Sequence, residues 1–278
     1  MAGRFARSLE LAKASWSVVR ADKELLLFPV LSVCALLLIV GSIAVPVLAL
    51  GRVTPEVAGE GAYLVAFGFY VLSYFIALFF NTALVGAAMI RMDGGNPTLR
   101  DGLAIAWARV GKILAYAVIA ATVGLLLRAI EERVGWLGRI VVKLVGVAWA
   151  LATFMVVPVL VTRDVGPVDA VKESASLLRG TWGENLIGNV GLGAVFFVAY
   201  FALIIVGGGA IVFAVSANMP FLAGTLLLVG VVTFLFLSTL QATMQGVYSA
   251  ALYRYATQNG APTPGFSSDL MSLAFKPK

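Results

Sequence analysis

The sequence contains no histidine and only one cysteine, Cys34, which lies within an apolar run. Without these side chains the chain cannot build an internal disulfide framework, a zinc site of cysteine and histidine ligands, or a nucleophile activated by histidine. The phosphate-binding loop G-x-x-x-x-G-K-[ST] and the G-x-S-x-G nucleophile elbow are also missing from the sequence. We therefore expect no catalytic residue, no metal site and no cofactor, and hence a protein that is not an enzyme.

Charge is also scarce, since charged residues make up 12% of the 278 residues whereas 61% are hydrophobic. Soluble proteins carry about twice that charged fraction, so this chain cannot cover a water-facing surface. The net charge of +6 fits contact with anionic lipid headgroups or with nucleic acid. Because the basic residues are dispersed at the ends of apolar runs, their placement favours lipid and speaks against nucleic acid. The sequence predicts an all-α integral membrane protein.

Long uncharged stretches define the membrane spans. About 20 apolar residues cross a bilayer, and the uncharged run 185–253 is long enough for two crossings. The sequence predicts six transmembrane helices, near residues 25–50, 63–90, 113–130, 141–162, 186–215 and 221–253. The third has an uncharged core of only about 22 Å, so it spans only if Lys112 and Arg128 extend towards the headgroups. A re-entrant hairpin of helices three and four is the alternative.

The distribution of lysine and arginine predicts the orientation. Fifteen of them flank the spans on the side of the two termini, and five lie on the other side. By the positive-inside rule, both termini are expected to lie in the cytoplasm. The membrane is then expected to be the plasma membrane of the cell. The first apolar segment is too long for a removed signal peptide, so we expect a retained anchor.

A short amphipathic segment precedes each pair of spans. The apolar residues of these segments recur every three or four positions: Phe5, Leu9, Ala12, Trp16 and Val19; Leu99, Leu103, Trp107 and Val110; Val168, Val171, Ala175 and Leu178. Basic amphipathic helices of this kind lie in the membrane interface; an extension of the following span is the alternative. We expect one membrane domain over 1–278, made of an amphipathic segment (1–24), a hairpin (25–97), two units that each combine an amphipathic segment with a hairpin (98–163 and 164–256), and a cytoplasmic tail (257–278).

Matching residues relate these units. Lys13, Ser15 and Arg20 recur as Lys172, Ser174 and Arg179, and residues 86–91 resemble residues 249–254. Because every hairpin starts and ends on the same side, the units are expected to be internal parallel repeats.

Three stretches carry a resemblance to a known family: ATVGLLLRAIEER at 121–133, TWGE at 181–184 and ALYRYA at 251–256. They resemble an uncharacterised family of prokaryotic multi-pass membrane proteins, a domain of unknown function, over nearly the whole chain. The resemblance implies a six-helix protein of a prokaryotic inner or plasma membrane and supplies no catalytic residue. The run AVKESASLLRGTW at 170–182 is more loosely similar to membrane domains attached to some glycerophosphodiesterases, whose catalytic domain this chain does not contain.

Polar residues within the spans form the first candidate site, because polar groups at membrane depth are often functional. Hydroxyl and amide groups that line a gap between the spans would provide a polar path for water or a small solute. The alternative is that these groups only form hydrogen bonds between helices. The candidate path consists of Asn81, Thr82, Gln241, Thr243 and Gln245. Gly207, Gly208 and Gly209 are expected to interrupt helix five and are a candidate hinge. Pro29, Pro46 and Pro158 are expected to kink the spans in which they lie.

A charged cluster on the outer side is the second candidate site. Arg128 and Glu132 are spaced to pair on one helical face. The cluster is either an outer vestibule for anions, or a ring in an oligomer, or a solvated cap that binds headgroups. Its members are Arg128, Glu131, Glu132, Arg133, Arg139 and Lys143.

These features leave two functions open. A passive pore or permease for ions or small solutes is favoured by the glycines of helix five and by the amides within the spans. A non-catalytic membrane scaffold that recruits a partner is the alternative. The expected partners are the lipid bilayer and its anionic headgroups, with a homo-oligomer as a further expectation.

Overall fold

The structure is a computed structural model that describes residues 4–50, 55–179, 182–258 and 266, and the side chains at 10–42, 65–178, 192–258 and 266. Every regular element in these ranges is a helix, so the predicted all-α fold is confirmed. The chain forms two compact units, Leu27–Gly180 on the one hand and Met1–Leu26 with Thr181–Lys278 on the other. We call them the central unit and the terminal unit.

The helices follow one another with short connections. A 3-10 turn (Lys23–Leu26) follows α1, and a π-helical segment (Leu203–Gly207) joins α9 to α10. In chain order the helices are α1 (Arg4–Ala21), α2 (Leu27–Leu50), α3 (Pro55–Met92), α4 (Leu99–Ala108), α5 (Val110–Arg133), α6 (Trp136–Ala152), α7 (Val156–Thr162), α8 (Pro167–Arg179), α9 (Trp182–Ala202), α10 (Gly208–Ser216) and α11 (Pro220–Thr257).

Six helical stretches in the described residues are long and apolar enough to cross a membrane, as the sequence predicts. They are Lys23–Ser42, Val65–Met92, Val110–Arg133, Trp136–Thr162, Leu192–Ser216 and Pro220–Thr257. The third, α5, has 24 residues and a length of about 36 Å. It is longer than the predicted 113–130 because Val110–Lys112 and Glu131–Arg133 are also part of the helix, so a re-entrant hairpin is not needed to explain its length.

Large apolar side chains cover the outside of these spans. On α11, for example, Phe221 is 89% exposed, and Leu228 and Phe236 are also largely exposed. A water-soluble protein rarely exposes a contiguous apolar surface of this kind, whereas lipid solvates it. The chain is a multi-pass membrane protein.

Small residues bring α4 into close contact with α3 in the central unit. A Cβ atom at Gly102 would lie 2.7 Å from the carbonyl oxygen of Ala83 and would overlap the ring of Phe28. A Cβ atom at Gly86 would lie 2.9 Å from the side chain of Ile105. At α4 the N-terminal Thr98 and Asp101 cap each other's backbone N–H groups in a capping box. The amphipathic segment is therefore a separate helix fixed to the first hairpin.

Span four is broken, and α8 packs against the break. Pro158 has no N–H group, and its ring would clash with the carbonyl group of residue 154 in a continuous helix. The chain leaves the helix after Ala152 and resumes it at Val156. This break confirms the distortion predicted at Pro158. The N–H group of Met155 within the break donates to the Ser174 Oγ atom of α8 at 3.0 Å.

In the terminal unit α1 packs against α9 and α11. Its buried residues are Leu11, Ala12, Ala14, Ser15, Val18 and Val19. Trp16, which the sequence pattern places on the apolar face with Ala12 and Val19, is 42% exposed, and contact of this face with the membrane interface stays a prediction.

The structure contradicts the alternative that each amphipathic segment is an extension of the following span for the first two segments, α1 and α4. A 3-10 turn separates α1 from α2. Arg109 leaves the helical conformation between α4 and α5, with φ −110° and ψ 8°.

The helices α3 and α11 correspond in the way that the repeat predicts. Each has 38 residues and carries an arginine in its last turn, Arg91 or Arg254. Each also buries its C-terminal part, residues 82–89 in α3 and 246–253 in α11. Each of the two helices also contacts an amphipathic helix of its own unit, α3 contacting α4 and α11 contacting α1.

Candidate functional site

The predicted polar path is divided between the two units. In the central unit Asn81 is half-buried and forms no hydrogen bond with a described residue. The neighbouring Thr82 is buried, and its hydroxyl donates to the carbonyl oxygen of Leu78 in the same helix at 2.7 Å. Of these two side chains, only Asn81 retains hydrogen-bond donors that are not used by a described residue.

In the terminal unit one predicted path residue bridges two spans. The hydroxyl of Tyr200 in α9 donates to Gln241 Oε1 in α11 at 2.9 Å. Thr243 donates to the carbonyl oxygen of Thr239 in its own helix at 2.8 Å. Gln245 is half-buried, and no described residue forms a hydrogen bond with it. The structure thus places Gln241 in an interhelical pair, and its role in a path stays a prediction.

Sequence reasoning missed Tyr200. A tyrosine near the middle of an uncharged run was the available signal, because a buried phenol hydroxyl usually finds a hydrogen-bond partner. The ring of Tyr200 also lies 5.3 Å from that of Phe234 in α11, so the pair holds the two helices through both polar and apolar contacts.

The interruption of helix five expected at Gly207, Gly208 and Gly209 takes the form of a π-helical segment, Leu203–Gly207, which separates α9 from α10. Gly207 and Gly208 have helical dihedral angles, φ −67° and ψ −46° and φ −62° and ψ −45°. The chain therefore stays helical here, and the π-helical segment lies within one turn of Tyr200. Segments of this type occur often at functional sites. The glycines have open space on their side-chain faces, and their use as a hinge stays a prediction.

The central unit contains a tyrosine cluster that the sequence analysis did not single out. The hydroxyls of Tyr70 and Tyr74 in α3 lie 3.4 Å apart. Gly124 of α5 faces both, because a Cβ atom there would lie 3.1 Å from the Tyr70 hydroxyl and 3.6 Å from that of Tyr74. Further along α5, the buried Tyr116 interacts with Thr153 at the break in span four. Hydroxyl groups therefore lie at two levels along α5, one where it contacts α3 and one where it contacts the break in span four.

The outer charged cluster forms weak pairs. Arg128 and Glu132 pair at 3.1 Å on α5, as their spacing predicts, and Lys143 of α6 reaches Glu131 at 3.9 Å. Arg133 and Arg139 are exposed and form no ion pair with a described residue. Exposed pairs of this kind contribute roughly 0–1 kcal/mol each, so the cluster is a solvated surface with two uncompensated positive charges. Its role as a vestibule or ring stays a prediction.

A second charged cluster lies at the opposite end of α5 and was not predicted. Asp164, in the loop between α7 and α8, accepts from Arg109 at 2.7 Å and from Lys112, both through its Oδ1 atom. The hydrogen bond from Lys112 and the positive charge of both partners lower the pKa of Asp164 below its ordinary value. More than 50 residues separate the partners in sequence, so no local pattern could indicate this contact.

No group of three or more cysteine, aspartate or glutamate side chains that could hold a metal ion occurs among the residues described. The chemistry offered at membrane depth is that of hydroxyl and amide groups, which bind through hydrogen bonds.

Comparison with known proteins identifies a family without an activity. The model of a Family of unknown function (DUF6159) matches residues 60–263. No curated protein and no solved structure matches the chain. The looser similarity to membrane domains attached to glycerophosphodiesterases therefore has no support.

Proposed function

The chain belongs to this family of unknown function, and we propose that it is a passive transport protein for ions or small polar solutes. The observation that carries the proposal is the Tyr200–Gln241 hydrogen bond between two membrane spans, at 2.9 Å. In this pair, two polar side chains contact each other where apolar side chains would otherwise pack. Tyr200 lies within one turn of the π-helical segment. A helix that is locally widened there can change its register against α11 with little cost, which opens or closes a polar gap.

The tyrosine cluster supports the same function in the central unit. Tyr70, Tyr74 and Tyr116 provide hydroxyls along α5, and the backbone of span four is irregular at Thr153. Irregular backbone at membrane depth is tolerated where it is covered by protein or lines a cavity. Transporters use such breaks to bind solutes.

Flux through the purified protein in liposomes tests this proposal. We expect permeation of monovalent ions or of small neutral solutes such as glycerol, and a change of at least severalfold with Gln241→Leu and with Tyr200→Phe. Thr233→Val is the matched control on α11, because the Thr233 hydroxyl bonds only to the carbonyl oxygen of Val229 in its own helix. The absence of flux from folded protein, or equal flux in all variants, would contradict the proposal.

A non-catalytic scaffold is the second candidate, and the exposed Trp107 and Val168 of α4 and α8 favour it. Apolar residues at the ends of interfacial helices can bind a partner protein as well as lipid. Retention of a partner through residues 1–24 or 164–184, together with absent flux, would favour the scaffold. In either case we propose a non-enzymatic protein of a cell membrane with both termini in the cytoplasm.

A further inference from the structure

The cluster of Arg109, Lys112 and Asp164 carries an uncompensated positive charge. Both cations contact one oxygen atom, Asp164 Oδ1, and no other anionic side chain in the described part of the chain pairs with them. The neighbouring Arg163 is neutralised by Glu173, which it contacts at 2.8 Å. Two cations that share a single carboxylate leave a net charge of +1 at this position.

Burial distinguishes these cations from ordinary surface residues. The side chains of Arg109 and Lys112 are only 26% and 29% exposed, whereas Asp164 is 81% exposed. Partly desolvated cations interact more strongly with an additional anion than fully hydrated ones do. Because the Asp164 side chain is largely exposed, the carboxylate does not close the site.

The surroundings place the cluster at the boundary between headgroups and hydrocarbon. Trp107, two residues before Arg109, is 69% exposed, and its ring lies 6.0 Å from that of Phe79. Leu114, two residues after Lys112, is also exposed, at the start of span three. Exposed tryptophans mark the level of the headgroups. In a bilayer, the phosphates of that lipid leaflet would lie at the same depth as the two cations.

We propose that Arg109 and Lys112 form a binding site for the phosphodiester group of an anionic phospholipid. One monoanionic phosphodiester would balance the residual charge of the cluster, with Asp164 holding the two cations side by side. Basic sites between transmembrane helices bind anionic headgroups in this way. This site is independent of the proposed transport function, because none of its residues belongs to the polar groups on which that function rests.

Lipid nanodiscs test the site directly. The protein is placed in discs of phosphatidylcholine alone or with phosphatidylglycerol. Bound lipids are counted by native mass spectrometry, and unfolding is measured as the temperature is raised. We expect one retained phosphatidylglycerol and a higher unfolding temperature in the anionic discs. The Arg109→Gln/Lys112→Gln variant should bind phosphatidylglycerol about tenfold more weakly, since each basic residue near the surface contributes measurably.

The matched control is Arg100→Gln/Lys172→Gln, which removes the same charges from exposed positions on α4 and α8 and should change the affinity by less than about twofold. Asp164→Asn removes the competing carboxylate and should tighten binding, provided that its unfolding in phosphatidylcholine discs stays cooperative. Equal losses in the test and control variants would overturn the proposal. So would stabilisation by inorganic phosphate in phosphatidylcholine discs, which would indicate a site for free phosphate.

Discussion

The hydroxyl of Ser174 replaces a helical carbonyl group as the hydrogen-bond partner of Met155. The N–H group of Met155 donates to Ser174 Oγ at 3.0 Å, and both residues are fully buried. Pro158 breaks span four and removes the regular helical partner. Since no water is available in the bilayer core, the amphipathic helix α8 supplies the missing acceptor. The contact explains why a helix outside the spans is packed so closely against one of them.

We expect Ser174→Ala to lower the free energy of unfolding by about 1–3 kcal/mol, because it leaves a buried N–H group without an acceptor. The change is measured by reversible unfolding of the purified protein in detergent micelles. Ser15, the residue related to Ser174 by the sequence repeat, is equally buried in α1, but its hydroxyl has no hydrogen-bond partner among the residues whose side chains the structure describes. Ser15→Ala should therefore be neutral or stabilising. Equal losses in the two variants would contradict the role of Ser174.

Gly102 is required for the contact of α4 with α3. We expect Gly102→Ala to destabilise the protein by about 1–3 kcal/mol, because the added Cβ atom would meet the Ala83 carbonyl oxygen and the Phe28 ring. Gly111→Ala in α5 is the control, since nothing lies within 4 Å of that position. It should stabilise the helix by about 0.5–1 kcal/mol. Thermal unfolding of both variants in the same detergent decides the comparison.

The tyrosine cluster predicts a second effect on flux. A Val side chain at Gly124 would displace the Tyr70 and Tyr74 hydroxyls, which lie within contact distance of a Cβ atom there. We expect Gly124→Val to change solute flux in liposomes at least severalfold. Gly146→Val in α6 should not, because a Cβ atom there meets only Leu127 at 4.0 Å. Unchanged flux in a folded Gly124→Val protein would show that the solute path does not run through the central unit.

The lowered pKa of Asp164 predicts a dependence of stability on pH. A carboxylate whose pKa is depressed in the folded state stabilises the fold above its unfolded pKa of about 3.9. That contribution is lost as the pH falls through the lower, folded pKa. The wild type should therefore lose more stability than Asp164→Asn when the pH is reduced from 5 to below 3. Parallel thermal unfolding profiles of the two proteins across this range would argue against the ion pairs.

The spans were predictable because lipid imposes a local requirement. Each crossing needs a continuous apolar helix whose backbone groups form hydrogen bonds within the helix. Long uncharged runs such as 185–253 meet this requirement and can be recognised in the sequence. The same requirement explains why the chain stays helical at Gly207 and Gly208, where the π-helical segment gives way to α10. Glycine weakens a helix in water, whereas in hydrocarbon an opened helix has nothing to bond with, so the helix persists there.

The contacts that define the candidate sites could not be predicted. Tyr200 and Gln241 are 41 residues apart, and Lys112 and Asp164 are 52 apart. Nothing in the sequence around either member specifies its partner, because the pairing depends on how whole helices pack. The break at Pro158 was predictable, whereas the choice of Ser174 as the substitute acceptor was not.

Cysteine labelling tests most directly the central claim that the chain crosses a membrane six times. In a Cys34→Ser background, single cysteines are placed at Gly94, Val165, Gly135 and Asn218, which lie in the connections between spans. Intact cells are treated with a membrane-impermeant maleimide, and permeabilised cells serve as the reference. We predict that cysteines at 135 and 218 react in intact cells and that those at 94 and 165 react only after permeabilisation. Labelling of all four positions in intact cells, or of none, would contradict the account.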